Sequence, residues 1–200
     1  MANRSTRYVV VDGTWCVGKS TLCASLVGTL KSRSILVAGF PEVARRNVFM
    51  EDIAVRNRPV DAVAELHLLC EKMASELEVC RDHDLAIVDS SALNVVAHMR
   101  EMIFTPDSRS LKSAMEVLAA EHAKSYDLVI YLEDYYEVAR TADSWRPTDE
   151  RLRIAVDRQL RRLYEQSCIE VRAVPRGLGL SEKIDWTLSQ MTDVIDCEPD

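Results

Sequence analysis

The sequence predicts an α/β fold in which helices cover both faces of a parallel sheet. Five short apolar runs do not alternate with polar residues, which is typical of strands buried on both faces. Segments with helical spacing separate the runs, so successive strands need right-handed crossovers. In such a three-layer sandwich, ligands bind beyond the carboxyl ends of the strands, and we expect the chemistry there. The runs are residues 8–11, 35–40, 85–88, 128–132 and 171–174.

Length and composition predict one globular domain, residues 1–200, because 48% of the 200 residues are hydrophobic. The net charge of −7 is not typical of a protein that lives on nucleic acid, although a local basic groove can coexist with it. No apolar run approaches the roughly 18 residues that span a membrane, and the first residues lack signal-peptide architecture. The sequence therefore predicts a cytoplasmic protein without a membrane partner, and its six scattered cysteines are expected to be reduced thiols.

Two of the intervening segments carry clear helical patterns. Residues 63–77 place apolar side chains every three or four positions, the stripe of an amphipathic helix. Residues 148–166 form the second helix, and Thr148 is expected to cap its start. Each long helix offers a face on which a homodimer could form, although a stripe at helical spacing more often packs against the core.

The first apolar run leads directly into a phosphate-binding motif. Residues 13–20 read G-T-W-C-V-G-K-S, which fits the P-loop pattern G-x-x-x-x-G-K-[ST], also called Walker A. Gly13 and Gly18 allow the tight turn that brings backbone N–H groups against phosphate oxygens. Lys19 is expected to neutralise the β- and γ-phosphates of ATP, and the Ser20 hydroxyl to bind Mg²⁺. The predicted nucleotide-binding residues are Gly13, Thr14, Trp15, Cys16, Val17, Gly18, Lys19, Ser20 and Thr21.

Three carboxylates at the ends of apolar runs are candidates for the chemistry. Asp89 ends the third run, where it can bind magnesium beside Ser20 or cap the next helix. Glu42 follows the second run on the expected acceptor side, where it can remove the proton from an attacking hydroxyl or simply stabilise a helix N-terminus. Asp12 precedes Gly13 and either contacts the magnesium shell and the substrates or anchors the loop backbone.

Two groups of arginines flank the expected site. Arg45 and Arg46 follow Glu42 by three and four residues, so one of them shares its helix face and is a candidate substrate contact. The alternative is a solvated surface pair. Arg146 and Arg151 lie before and at the start of the second long helix, where a mobile loop could close on ATP and stabilise charge on the moving phosphoryl group. Most other arginines of that helix are interpreted as solvated charges.

Taken in order, these motifs resemble those of P-loop kinases. They resemble the branch of AAA-type ATPase-like domains that includes the ribosylnicotinamide kinase domain of bacterial NAD regulators, and the deoxynucleoside kinases share the broader layout. The resemblance covers about residues 7 to 175. It rests on the phosphate loop and on residues 41–45, 87–89, 126–133 and 145–151.

The resemblance implies a five-stranded P-loop NTPase sheet in the order 2-3-1-4-5. It also implies that Glu42-x-x-Arg45 lies at the acceptor site and that residues 140–151 form a lid, with a C-terminal tail near 196–200. The implied activity is ATP- and Mg²⁺-dependent transfer of the γ-phosphate to a hydroxyl of a nucleoside-like small molecule. One departure is that many relatives carry an arginine directly after the strand-three aspartate, whereas Ser90 follows Asp89 here.

Four alternatives remain beside this interpretation. A GTPase is disfavoured because the chain lacks an Asn/Thr-Lys-x-Asp stretch. A nucleoside monophosphate kinase needs clustered cations for an acceptor that is already an anion, and Arg45 and Arg46 keep that option open. A kinase of a hydroxymethylated base in DNA would need a basic rim or a flipped base, and the acidic net charge disfavours it. A non-catalytic ATP-binding module would tolerate loss of Glu42 or Asp89, and both are present.

Overall fold

The computed structural model describes residues 6–51, 60–79, 82–103, 108–136 and 149–196. Five parallel strands form one sheet in the order β2-β3-β1-β4-β5, which confirms the predicted fold class and strand order. Arg146 and most of the expected lid at 140–151 lie outside the described residues, as do residues 197–200 of the expected tail. The strands are β1 Arg7–Asp12, β2 Val37–Phe40, β3 Leu85–Asp89, β4 Leu128–Tyr131 and β5 Val171–Ala173.

The last strand differs from its prediction. The apolar run at 171–174 predicts burial on both faces, but β5 is largely exposed, and Val171 is 38% exposed. The reason is its position, because β5 lies at the edge of the sheet and, among the residues described, pairs with β4 alone. Central strands such as β1 and β3 are buried throughout or nearly so, as predicted.

Helices pack on both faces of the sheet. Side chains of α2, α3, α4 and α5 form a core with Val10 and Val88, whereas α1 and α6 form a second core with Val9 and Val11. Successive residues of β1 thus point into opposite layers, as the period of a strand requires. The helices are α1 Lys19–Ser32, α2 Ala62–Val79, α3 Ala92–Met102, α4 Arg109–Ala123, α5 Glu150–Ser167, α6 Leu180–Gln190 and α7 Thr192–Asp196, with a 3₁₀ helix at Val43–Arg46.

The start of α5 differs from the prediction in its capping residue. The helix begins at Glu150, and the Asp149 side chain accepts hydrogen bonds from the Arg151 and Leu152 N–H groups. Thr148, the predicted cap, lies outside the described residues. Among the helices described, none is long and apolar enough to cross a membrane.

The register of the sheet brings the ends of three strands together. Val11 pairs with Asp89 on one side of β1, and Asp12 pairs with Tyr131 on the other. In a parallel sheet these residues share the carboxyl edge. The phosphate motif and Asp89 therefore meet at the edge where the sequence placed the chemistry.

Candidate active site

The phosphate loop joins β1 to α1 and depends on its two motif glycines. Gly13 has φ +138°, and a Cβ there would lie 2.5 Å from the Leu132 carbonyl oxygen, so no larger residue fits. Gly18 is the N-cap of α1 with φ +89°. The positive end of the α1 dipole and the first free N–H groups of that helix thus lie at the loop, an arrangement suited to an anion.

Lys19 begins α1 and is turned back onto the loop. Its Nζ donates to the Gly13 carbonyl at 3.1 Å and to the Thr14 carbonyl at 2.7 Å. The side chain is almost wholly buried. The ammonium is therefore held against the loop itself, at the place where the sequence predicted a phosphate contact.

Asp12 anchors the loop and its surroundings. Its Oδ1 accepts hydrogen bonds from the Gly13 N–H and the Asn94 amide, and its Oδ2 accepts from the Ser91 N–H, the Ser91 hydroxyl and the Tyr164 hydroxyl. The residue has no exposed surface. With both oxygens engaged, the geometry favours the anchoring role and gives no support to contact with the magnesium shell or the substrates.

Asp89 is also buried, but unlike Asp12 its carboxylate is not fully hydrogen-bonded. Its Oδ1 accepts a hydrogen bond from the Ser90 hydroxyl at 3.3 Å, and its Oδ2 has no partner within hydrogen-bonding distance in the described ranges. Burial raises the pKa of Asp89 above its usual 3.8, and the Lys19 ammonium and Ser20 hydroxyl only partly offset this. An unsatisfied buried carboxylate oxygen with a serine hydroxyl nearby fits a metal ligand.

Few side chains at the site could bind a metal ion, which suits a magnesium ion held mostly by water and phosphate oxygens. Within the described ranges, no group of three or more His, Cys, Asp or Glu side chains could hold a metal ion. Magnesium in phosphate-transfer sites is usually held by one or two protein oxygens, with water and phosphate oxygens completing its octahedron. Ser20 and Asp89 fit that pattern.

Glu42 lies between β2 and the 3₁₀ helix and accepts a hydrogen bond from Arg45 Nε at 3.2 Å. It is the N-cap of that helix and its side chain makes no capping hydrogen bond, so any stabilisation of the helix would come from its charge alone. The 3₁₀ helix has three residues per turn, so Arg45 shares the face of Glu42 and Arg46 does not. Arg46 instead points toward Glu71 on α2, with 4.0 Å between Nε and Oε1.

One cavity of about 380 Å³ unites the phosphate loop with Glu42. Both Lys19 and Ser20 line it, so the predicted nucleotide and acceptor groups face the same space. Tyr136 and Lys183 also line this cavity and carry no motif that could have marked them in the sequence. The full lining is Cys16, Val17, Gly18, Lys19, Ser20, Thr21, Leu22, Glu42, Leu132, Tyr136, Leu180 and Lys183.

A second cleft of about 350 Å³ borders the phosphate loop at Thr14 and contains arginines of α5. Arg153 stacks over the Tyr135 ring, 3.9 Å from its centroid, and its buried Nε has no hydrogen-bond partner among the residues described. Arg161 bonds both Asp157 and Glu133 at 2.8 Å. Arg153 is thus stacked and Arg161 is ion-paired, whereas Arg158 and Arg162 of the same helix are exposed, in line with the interpretation that most of these arginines are solvated charges. Arg151, the predicted lid residue, is exposed at the helix start.

The end of β3 is also supported by a buried ion pair that sequence reasoning missed. Lys72 Nζ lies 2.8 Å from Glu76 Oε1 and 3.5 Å from the Asp89 carbonyl oxygen. The other Glu76 oxygen accepts hydrogen bonds from His122 and Tyr126. The spacing of Lys72 and Glu76 on a predicted helix was visible, but only the fold shows that the pair is buried.

The sheet order and the strand–loop–helix around Lys19 define a P-loop NTPase fold. More narrowly, a family profile described as AAA domain matches residues 8–180, and the chain belongs to that family. No curated protein matches the chain in sequence.

Solved structures share the whole fold. Deoxyadenosine kinase from M. mycoides with bound dATP is 17% identical, with a TM-score of 0.72, over 92% of this chain and 99% of that one. The same kinase with bound dCTP is 16% identical, with a TM-score of 0.72, over 93% and 99%. NadR protein in complex with NR is 15% identical, with a TM-score of 0.71, over 99% of this chain and 54% of that one. At such identities, the likeness establishes the fold.

Proposed function

We propose that this protein is an ATP- and Mg²⁺-dependent kinase that transfers the γ-phosphate to a hydroxyl of a nucleoside-like small molecule. The observation that carries the proposal is the single cavity lined by Lys19, Ser20 and Glu42. Transfer to an acceptor requires a phosphate-binding cation and a base around one space, and Lys19 and Glu42 would supply them. The kinases named above have the same fold and support this class of activity.

The phosphate loop would hold the donor. Its backbone N–H groups and Lys19 would bind the β- and γ-phosphates, and the start of α1 would add its dipole. Ser20 and Asp89 would bind the magnesium ion, which neutralises charge on the phosphates when it is present. Tyr136 and Leu180 offer an aromatic and an apolar surface beside the loop for the nucleotide base.

Glu42 would act on the acceptor. Its carboxylate is partly exposed in the cavity, so it could accept the proton of an attacking hydroxyl. Arg45 would hold that carboxylate in place through their hydrogen bond. Arg45 is paired with Glu42 and Arg46 faces Glu71, so both arginines on the acceptor side already lie beside carboxylates. This arrangement favours a neutral acceptor over a nucleoside monophosphate.

The arginines near α5 would act on the moving phosphoryl group. Arg146 and Arg151 stay our predicted lid residues, and Arg153 joins them because its guanidinium already faces the cleft beside Thr14. A guanidinium near the γ-phosphate would stabilise charge in the transition state.

The test is transfer of labelled γ-phosphate from ATP to nucleosides, nucleotides, nicotinamide riboside and DNA with hydroxymethylated bases, measured side by side. We expect label on a nucleoside-like acceptor with the wild type and none with Lys19→Ala. Label on DNA alone would support a kinase of modified bases instead. Label released only as free phosphate would contradict the proposal and support an ATPase module.

A further inference from the structure

Lys183 is a buried lysine in the wall of the cavity that the phosphate loop lines. It lies near the start of α6, and its side chain borders the same space as Gly18 and Ser20. Only 4% of the residue is exposed. Lysine is seldom buried this deeply unless its ammonium is paired. The contacts of that ammonium therefore indicate what it could still bind.

The ammonium already has an anionic partner. Its Nζ lies 3.0 Å from Asp134 Oδ2 and 3.5 Å from the Tyr136 hydroxyl, the second distance being long for a hydrogen bond. The same Asp134 oxygen accepts from the Gly177 N–H at 3.1 Å, which fixes the carboxylate in place. An ammonium has three donors, so at least one is left after these two contacts. Because Asp134 neutralises its charge, that donor suits a neutral acceptor better than a phosphate.

Two apolar surfaces lie beside Lys183 in the same cavity. Tyr136 is 50% exposed and Leu180 is 45% exposed, and both line the cavity. The Tyr136 N–H donates to the Cys16 carbonyl at 2.7 Å, and its ring lies 3.6 Å from the place of a Cβ on Gly18. The ring is thus held against the phosphate loop, and Lys183 Nζ is 5.7 Å from its centroid. A flat base stacked on this ring would have the ammonium near its edge.

We infer that Lys183 selects the donor by its base, because its ammonium donates a hydrogen bond to a ring nitrogen of an adenine that stacks on Tyr136. The inference rests on the proposed function, since it takes ATP to be the donor that the phosphate loop holds. It adds a specificity-determining residue that no motif in the sequence marks. A triphosphate whose base lacks the accepting nitrogen should bind more weakly.

A pair of variants separates base recognition from a structural ion pair. Lys183→Met keeps an unbranched apolar stem and removes the donor. Asp134→Asn removes the ion pair and keeps an oxygen that can accept from Lys183. Loss of one hydrogen bond from a charged group should weaken ATP binding about tenfold in Lys183→Met, whereas Asp134→Asn should stay within about threefold of the wild type. Inorganic tripolyphosphate, which has no base, should bind the wild type and Lys183→Met equally.

The measurement is equilibrium dialysis with Mg²⁺ of ATP and of analogues in which a single ring nitrogen of adenine is replaced by C–H. One analogue should bind the wild type about tenfold more weakly than ATP and should lose nothing further in Lys183→Met, because both changes remove the same contact. The preference for ATP over that analogue should persist in Asp134→Asn.

Three results would overturn the inference. They are equal wild-type affinity for ATP and every analogue, an unchanged preference in Lys183→Met, and an equal loss of tripolyphosphate binding in that variant. The first of these is measured on the wild type, so it applies even if Lys183→Met fails to fold. ATP binding with the expected preference, but without transfer of phosphate to any acceptor, would overturn the proposed function alone.

Discussion

Two aspartates near the phosphate loop, Asp12 and Asp89, differ in their hydrogen bonds, and this difference indicates different roles. Asp12 accepts five hydrogen bonds and has no exposed surface, so its charge is fully compensated. Asp89 is equally buried but keeps one oxygen without a hydrogen-bond partner in the described structure. The sequence placed both at the ends of apolar runs and could not separate them, because their partners come from distant segments.

Substitution by asparagine should separate these two roles. Asp12→Asn places an NH₂ group among five donors and should lower the free energy of unfolding by about 2–4 kcal/mol. Asp89→Asn removes a charge that burial disfavours, so stability should be kept or raised while phosphate transfer falls and needs more Mg²⁺. Urea unfolding and magnesium titrations of activity measure both effects. A strongly destabilised Asp89→Asn would contradict the metal-ligand role.

Glu42→Gln should lower kcat by about 10² to 10⁴ and leave ATP binding intact, because the amide cannot take a proton. The control is Glu71→Gln, since the Glu71 side chain is as exposed as that of Glu42, at 31%, and also lies beside an arginine. Steady-state kinetics with the acceptor found in the transfer assay would measure the difference. A fully active Glu42→Gln would show that the base is another group.

Glu65 predicts a pH dependence of stability. Burial, with a smaller effect of Asp61, raises the pKa of Glu65 from 4.5 to about 8, and its Oε2 has no hydrogen-bond partner within the described ranges. Between these pH values the folded state keeps a proton that the unfolded state releases, so stability should fall as pH rises from about 4.5 to 8. Glu65→Gln should remove this fall and be more stable at pH 9 by a few kcal/mol, on the order set by the shift. Equal slopes in urea unfolding of both proteins would show that Glu65 is ionised in the fold.

At the scale of single elements, helical and strand patterns predicted most of the fold, and packing decided the rest. The apolar stripe at 63–77 lies in α2, Ala62–Val79, and the phosphate motif lies at the junction of β1 and α1, as predicted. The pattern could not show that β5 is an exposed edge, or that Arg153 stacks on Tyr135, because both depend on neighbouring elements.

The buried pair on α2 should stabilise the protein only while both partners are present. Lys72→Met leaves Glu76 buried without its cation and should lower the free energy of unfolding by about 3 kcal/mol. Adding Glu76→Gln should recover at least about half, because the amide can still bond His122 and Tyr126. Lys124→Met, in an exposed pair with Glu121, is the control and should cost less than about 1 kcal/mol. No recovery in the double variant would contradict the charge-pair explanation.

At the scale of the whole molecule, the sheet order determines which residues can meet. Because β1 lies between β3 and β4, the phosphate loop lies beside Asp89 on one side and Leu132 on the other. The order was predicted by family resemblance, whereas the acceptor was not, since side chains from several segments build its pocket. Similar kinase structures at 15–17% identity share the fold without fixing that pocket.

Binding of ATP with Mg²⁺ at the carboxyl edge of the sheet should be measurable as a change in Tm. ATP with Mg²⁺ should raise the Tm of the wild type in proportion to the logarithm of ligand concentration. Lys19→Ala should lose most of that rise because the charge opposite the phosphates is gone, and its Tm without ligand should fall modestly because two hydrogen bonds to loop carbonyls are lost. Differential scanning fluorimetry measures both. An equal rise in Lys19→Ala would show that ATP binds elsewhere.

The hydrogen bond from the Tyr164 hydroxyl to Asp12 has a consequence for how the protein folds during its synthesis. These residues are 152 positions apart, so the anchor of the phosphate loop is completed only by a segment that is synthesised well after the loop itself. Contacts of such long range form slowly and late in folding. A nascent chain on the ribosome therefore lacks the complete anchor of the phosphate loop until α5 has emerged, and full ATP affinity should appear only after that point.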